Sequence, residues 1–187
     1  MLTGIATASY TMAAVAHFFL AILLLTSWRG RLHGMVLPIA CLLSALWAAT
    51  LAYQANQASP LSLLTDVLEI MRNAGWSVFL IILLGPYQQS DITSTRRIRP
   101  AVAAIAALYI ACLAIALYSH TNSDFPSHNS IGFINSIVAS VAMAIVGMIL
   151  VEQLYRNTPV KQRWGIKFAC LGIGGIFAYD FYLYSDA

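Results

Sequence analysis

Long apolar stretches, separated by short polar connections, run through the whole chain. Six of them hold the roughly 20 residues that a helix needs to cross the hydrocarbon core of a bilayer. Runs such as "FFLAILLL" lack the alternation of barrel strands, which favours helices. The pattern predicts an all-α polytopic membrane protein with its helices in an antiparallel bundle. The six predicted helices are residues 3–27, 35–53, 61–84, 100–118, 131–154 and 165–184.

Composition agrees with a membrane protein. Of the 187 residues, 60% are hydrophobic and 9% are charged, against about 25% charged in soluble domains. The lipid bilayer is therefore the expected environment. The basic residues form no patch interleaved with aromatics, which excludes nucleic acid as an expected partner. Cys41, Cys112 and Cys170 all fall within apolar runs and are expected to be reduced and buried.

The basic residues predict the orientation of the chain. Nine of the ten Lys and Arg residues lie in or beside the first, third and fifth connections, and the second and fourth connections have none. The positive-inside rule places the basic connections in the cytoplasm. Both termini then face outward. The nine residues are Arg29, Arg31, Arg96, Arg97, Arg99, Arg156, Lys161, Arg163 and Lys167.

The third stretch, "LTDVLEIMRNAGWSVFLIILLG", brings charges into a predicted span. Arg72 lies up to about 16 Å below the start of that helix. Glu69 shares its helical face at a spacing of three, and Asp66 is one turn nearer the outer surface. Asp180, in the sixth helix, is at a similar height. We therefore define a polar cluster of Asp66, Glu69, Arg72 and Asp180. If the third and sixth helices are close, we expect Arg72 to be held between Glu69 and Asp180.

Two interpretations of the polar cluster stay open. In one, residues 61–72 form an interfacial turn of helix whose charges lie in water or among headgroups. In the other, the charges line a polar cavity and sense or bind a ligand, because ionisable groups within spans are commonly functional.

Small residues indicate where helices pack closely in lipid. They recur at four-residue spacing in the fourth and fifth helices and as a glycine-rich run in the sixth. We expect these stripes to face other helices of the bundle rather than a dimer interface. They are Ala103, Ala107 and Ala111; Gly132, Ser136, Ser140 and Ala144; and Gly172, Gly174 and Gly175.

No residue pattern points to catalysis, a metal or a cofactor. A haem between helices needs two histidines at matching depth, and His17 is the one histidine within a predicted span. His120 and His128 in the fourth connection are too far apart in sequence to indicate a metal site. No phosphate-binding loop or nucleophile–base pattern occurs. We therefore expect no enzyme activity in these residues.

The end of the chain resembles the N-terminal membrane region of PrsK-type sensor histidine kinases of the PEP-CTERM/exosortase system. The most specific stretch is "VEQLYRNTPVKQRWGIKFACLGIGGIFAYDFYLYSDA", with its "RNT", "RW-IK" and "YDFYLYSDA" elements. Weaker support comes from "LTSWRGR" and "EIMRNAGWSVFLIILL". The resemblance extends over nearly the whole chain, but the last 37 residues carry its distinctive elements.

The resemblance implies that residues 1–187 are the transmembrane input domain of a longer kinase in the bacterial inner membrane. Family members continue through further spans into a GAF-like domain and a dimerising histidine kinase core. That core phosphorylates a response regulator of exopolysaccharide and PEP-CTERM genes, and the full-length kinases are expected to be homodimers. The implied partners are therefore the lipid bilayer, those cytoplasmic domains and the cognate response regulator. The alternative is a small-molecule carrier or binding protein unrelated to kinase signalling, which intramembrane charges also suit.

The predicted orientation can be tested with single cysteines in a background without the three native ones. Ser59→Cys, in the second connection, should react with a membrane-impermeant maleimide in intact spheroplasts. Gln162→Cys, in the fifth connection, should react only after lysis, because the basic connections face the cytoplasm. The opposite labelling pattern would contradict the orientation.

Overall fold

The computed structural model describes residues 2–26, 34–57, 63–88, 92–121 and 126–186. Within these residues the chain forms six α-helices joined by short connections, and the all-α prediction is confirmed. In chain order they are α1 (Leu2–Thr26), α2 (Val36–Gln57), α3 (Leu63–Gln88), α4 (Ile92–Thr121), α5 (Pro126–Asn157) and α6 (Arg163–Ser185).

Every helix contains a segment that is long and apolar enough to cross a membrane, so the chain is a multi-pass membrane protein. The segments are 21 to 23 residues long, close to the roughly 20 residues that the hydrocarbon core requires. They are Gly4–Thr26, Val36–Asn56, Leu63–Gly85, Pro100–Thr121, Ile137–Asn157 and Arg163–Ser185.

Several helices extend beyond the bounds that the apolar runs predict. Helix α4 begins at Ile92 and continues through Pro100, the predicted start. Helix α5 begins at Pro126 rather than at residue 131. The prediction followed hydrophobicity, whereas a helix satisfies its backbone hydrogen bonds internally and can continue into the polar region of the interface.

The chain forms two compact units, Met1–Gly75 and Trp76–Ala187, and the division falls within α3. In the first unit, α1 packs against α2. Ala21, Ala40 and Cys41 are fully buried there. Small side chains of this kind let helix backbones approach closely, which drives helix association where burial from water cannot.

In the second unit, α5 packs against both α6 and α4. Helices α5 and α6 approach each other closely at Gly147, where a Cβ atom would overlap the ring of Phe177. The Phe177 side chain is fully buried in this unit, and so are those of Met143 and Ala144. Gly147 therefore provides the space that the Phe177 ring fills.

The prediction that the small-residue stripes pack against other helices holds in only part of the three helices. Ser140 and Ala144 of α5 are buried, as predicted. The packing prediction for α4 is wrong: Ala103, Ala107 and Ala111 are exposed. Helix α4 instead buries another side, which carries Tyr109 and Cys112. Alanine spacing alone could not indicate which side of α4 faces its neighbours.

The other small-residue positions also vary. In α6, a Cβ atom added at Gly174 would lie 3.5 Å from Cγ1 of Val151, which is ordinary packing contact. Gly172 and Gly175 are exposed. Gly132 and Ser136 lie within α5, but their burial is outside what the structure describes. The three cysteines are buried, which confirms that prediction.

We expect Gly147→Leu to destabilise the protein by about 1–3 kcal/mol, the usual cost of overpacking a filled core. Thermal unfolding in detergent measures this loss. Gly172→Leu is the matched control and should be tolerated, since nothing lies within 4 Å of its Cβ position. Adding Phe177→Ala to Gly147→Leu should restore part of the lost stability. Equal stability of Gly147→Leu and Gly172→Leu would contradict this packing.

Candidate functional site in the first unit

Helix α3 buries one of the charges that it carries. Arg72 is 4% exposed, whereas Asp66 and Glu69, on the same helix, are half-buried. Asp66 lies in the first turn of α3, where a negative charge interacts favourably with the helix dipole. Arg72 is therefore almost fully enclosed by the protein, whereas the two acids are only partly covered.

The guanidinium of Arg72 lies over the indole ring of Trp47. The distance from its Cζ atom to the ring centroid is 3.8 Å, which is a close cation–π contact. Trp47 is 8% exposed, and the ring of Tyr10 meets it edge-on with centroids 6.2 Å apart. Three helices thus contribute to this contact: α1, α2 and α3.

The contact lies near the middle of two candidate spans. Trp47 is close to the centre of Val36–Asn56, and Arg72 is close to the centre of Leu63–Gly85. A charged side chain at that depth costs roughly 2.5–3.5 kcal/mol on insertion scales. The face of an indole ring offsets part of this cost, since a desolvated cation–π contact contributes about 2 kcal/mol.

Gly75 brings α3 close to α2 one turn after Arg72. A Cβ atom at Gly75 would lie 3.2 Å from Cδ1 of Leu43 and 3.5 Å from Cα of Ala40. Since Ala40 is fully buried and has only a methyl side chain, the two backbones approach each other closely here. This approach places Arg72 and Asn73 against α2.

Two buried donors accompany the guanidinium. Asn73 is 1% exposed, and its Oδ1 atom accepts a long hydrogen bond of 3.5 Å from Nη2 of Arg72. Its Nδ2 atom and the Nε1 atom of Trp47 are buried and have no hydrogen-bond acceptor among the described residues. A buried donor in this state costs about 1–3 kcal/mol. We call Trp47, Arg72 and Asn73 the donor cluster.

A second polar contact joins α2 and α3 nearer their connection. Nε2 of Gln54 donates a hydrogen bond of 2.5 Å to Oγ1 of Thr65. Both residues are at least nine-tenths buried. This contact links α2 and α3 about two helical turns away from Trp47 and Arg72.

Asp180, the remaining member of the predicted polar cluster, belongs to the second unit. It is 1% exposed, in the outer part of α6 by the predicted orientation. Arg72 belongs to the first unit, so the pairing of Arg72 with Asp180 stays a prediction. The second unit also has a buried hydrogen bond of 2.7 Å between the hydroxyl groups of Ser77 and Tyr109.

The sequence pointed to Arg72 but not to Trp47 as its buried neighbour. It also did not indicate the hydrogen bond between Gln54 and Thr65. The signal was weak, because a tryptophan in a span is expected near the interface. Trp47 instead lies eleven residues after the start of α2 at Val36. Asn73 was part of the polar stretch but was not assigned to the cluster.

No cofactor site emerges from the described residues. They contain no group of three or more His, Cys, Asp or Glu side chains that could hold a metal ion. His17 is half-buried, and its Nδ1 atom is 2.9 Å from the carbonyl oxygen of Ala13 in the same helix. His120 is exposed near the end of α4. The structure does not describe the side chain of His128.

No protein-family model, curated protein or solved structure matches this chain. The resemblance to PrsK-type kinases therefore depends on the quoted sequence elements alone.

The contact between Arg72 and Trp47 can be measured by a double-mutant cycle on the unfolding free energy. We expect a coupling energy of about 1–2 kcal/mol between Arg72→Met and Trp47→Leu, since a buried cation–π contact is lost in either variant. Met71→Leu, at a half-exposed neighbouring position, should show no coupling to Trp47→Leu. Additive effects of Arg72→Met and Trp47→Leu would contradict the contact.

Proposed function

We propose that this chain is the membrane-embedded signal-input domain of a two-component sensor histidine kinase in the bacterial inner membrane. In this proposal the kinase regulates exopolysaccharide and PEP-CTERM genes through its response regulator. In this proposal a GAF-like domain and a kinase core follow these 187 residues, and the kinase core carries out the catalytic steps and forms the homodimer. The resemblance of the last 37 residues to PrsK-type kinases supports the kinase part.

The donor cluster is the observation that carries the sensor part. An input domain needs an element with two arrangements whose relative energies a signal can change. Nε1 of Trp47 and Nδ2 of Asn73 are buried donors without an acceptor among the described residues. A second helix arrangement, or a bound signal molecule, that supplies an acceptor would be favoured over the present one.

The size of this effect suits a switch. Satisfying one such donor is worth about 1–3 kcal/mol, and a free energy of that size changes a two-state ratio roughly 5- to 150-fold. The contacts of Arg72 with Trp47 and of Gln54 with Thr65 hold α2 and α3 in one register. Movement of α3 relative to α2 would therefore change all of these interactions together.

The first test of the proposal is the reading frame beyond Ala187. We expect it to continue through an odd number of further spans into a histidine-containing dimerisation helix and ATP-binding motifs. A stop codon directly after Ala187 would contradict the kinase part.

The second test is the autophosphorylation of the full-length protein in inverted membrane vesicles. Arg72→Gln should change the ratio of active to inactive kinase about fivefold or more, as a shift of 1 kcal/mol or more requires. The phosphorylation level should therefore change while the amount of inserted protein stays the same. Glu152→Gln is the control, because Glu152 belongs to an exposed ion pair with Arg156. Equal phosphorylation in wild type and Arg72→Gln would remove the donor cluster from the mechanism.

A small-molecule carrier is the second candidate function. The same observation favours it, since buried donors and a charge near the middle of two candidate spans suit a binding site for a polar solute. Uptake of solutes into proteoliposomes distinguishes the two functions: a carrier shows saturable uptake that Arg72→Gln abolishes, and a signal-input domain shows none.

A further inference from the structure

The turn between α5 and α6 has a fixed backbone. Both the backbone nitrogen and the hydroxyl of Thr158 donate to the carbonyl oxygen of Leu154, at 3.1 and 2.7 Å. The backbone nitrogens of Gln162 and Arg163 donate to the carbonyl oxygen of Pro159, at 2.8 and 3.2 Å. Thr158 is 1% exposed. The side chains that project from this turn therefore start from defined positions.

Three cations at this turn have no acidic partner among the described residues: Lys161, Arg163 and Lys167. The nearby Glu152 is engaged by Arg156, with Nη1 and Oε1 3.1 Å apart. The turn thus presents three positive charges that no carboxylate in the described structure offsets.

Two of these cations are oriented by their neighbours. Nε of Arg163 donates a hydrogen bond of 3.0 Å to the carbonyl oxygen of Thr158, and its guanidinium lies 5.4 Å from the ring centroid of Tyr155. Nζ of Lys167 lies 5.6 Å from the ring centroid of Trp164. Neither contact neutralises the charge, and Lys167 remains exposed.

An exposed apolar stripe continues from these cations along α6. Trp164, Phe168 and Leu171 are 74%, 67% and 71% exposed, and their spacing places them on one helical face. The rings of Trp164 and Phe168 meet edge-on, with centroids 6.4 Å apart. The stripe lies within the candidate span Arg163–Ser185, so hydrocarbon is its expected surrounding.

The turn also lies where headgroups are. The candidate span of α5 ends at Asn157 and that of α6 begins at Arg163, which places the intervening residues at a bilayer surface, whichever leaflet that is. A ligand that fits both features carries a negative charge next to an alkyl chain. A second copy of the chain fits poorly, because its own turn carries the same positive charges.

We propose that the α5–α6 turn binds an anionic phospholipid. The phosphate group contacts Lys161, Arg163 and Lys167, and an acyl chain lies along Trp164, Phe168 and Leu171. This site is separate from the donor cluster, and it depends on neither the kinase function nor the orientation of the chain.

Native mass spectrometry of the full chain, released from detergent with added phosphatidylglycerol or phosphatidylcholine, tests the site. We expect tighter binding of phosphatidylglycerol. The variant Lys161→Gln/Arg163→Gln/Lys167→Gln should bind it roughly 10- to 100-fold more weakly, as the loss of three charges near a membrane surface implies. The control Glu152→Gln/Arg156→Gln removes a whole ion pair without changing the net charge and should bind as wild type does.

Two further arms identify the ligand and remain informative if the triple variant fails to fold. The affinity of wild type for phosphatidylglycerol should fall as NaCl is raised, because salt screens exposed charges. Millimolar glycerol 3-phosphate should not displace the lipid, and Trp164→Ala/Phe168→Ala should weaken lipid binding. Equal affinity for the two lipids, no salt dependence, or full displacement by glycerol 3-phosphate would overturn the proposal.

Discussion

The contact between the Arg72 guanidinium and the face of Trp47 is the interaction on which the first unit most depends. In the hydrocarbon core of a bilayer, water does not solvate a buried charge, so the protein must supply the polar groups or ring faces that stabilise it. Here the environment includes an indole ring 3.8 Å away and the amide oxygen of Asn73. The close approach of α2 and α3 at Gly75 and Ala40 is what makes that environment available.

Close helix packing buries different kinds of side chain in the two units. In the second unit, Gly147 makes room for the ring of Phe177, and the contact is apolar. In the first unit, Gly75 brings polar side chains of α3 against α2, and two buried donors are left without an acceptor in the described structure. A purely structural bundle gains nothing from such donors, since each lowers its stability. This cost is the reason why we propose a sensing or binding role for the first unit.

Charges at the ends of the helices follow simpler rules. The ion pair of Glu152 with Arg156 is exposed and contributes at most about 1 kcal/mol. Lys167 instead lies beside Trp164. Such side chains at span ends interact with headgroups and ring faces more than with acids.

The sequence predicted the six helices because the length of an apolar run directly reflects the thickness of the hydrocarbon core. It also identified Arg72, since a base within a span is conspicuous. It could not predict Trp47 as its neighbour, because α2 is apolar on all sides and no periodicity shows which side faces α3. For the same reason the alanines of α4 were assigned to the wrong surface. Helix ends were misplaced where helical structure continues into polar sequence, as at Ile92.

We expect the Trp47 indole of the donor cluster to be buried within the membrane and in contact with Arg72 there. The most direct measurement is solution NMR of the ¹⁵N-tryptophan-labelled protein in lipid nanodiscs, with the Trp47 indole signal assigned by its loss in Trp47→Phe. We predict that this N–H exchanges slowly with D₂O, is unaffected by a water-soluble paramagnetic agent, and shifts in Arg72→Gln. The account would be contradicted if the Trp47 indole N–H exchanged as fast as that of the exposed Trp164 and its chemical shift were the same in Arg72→Gln.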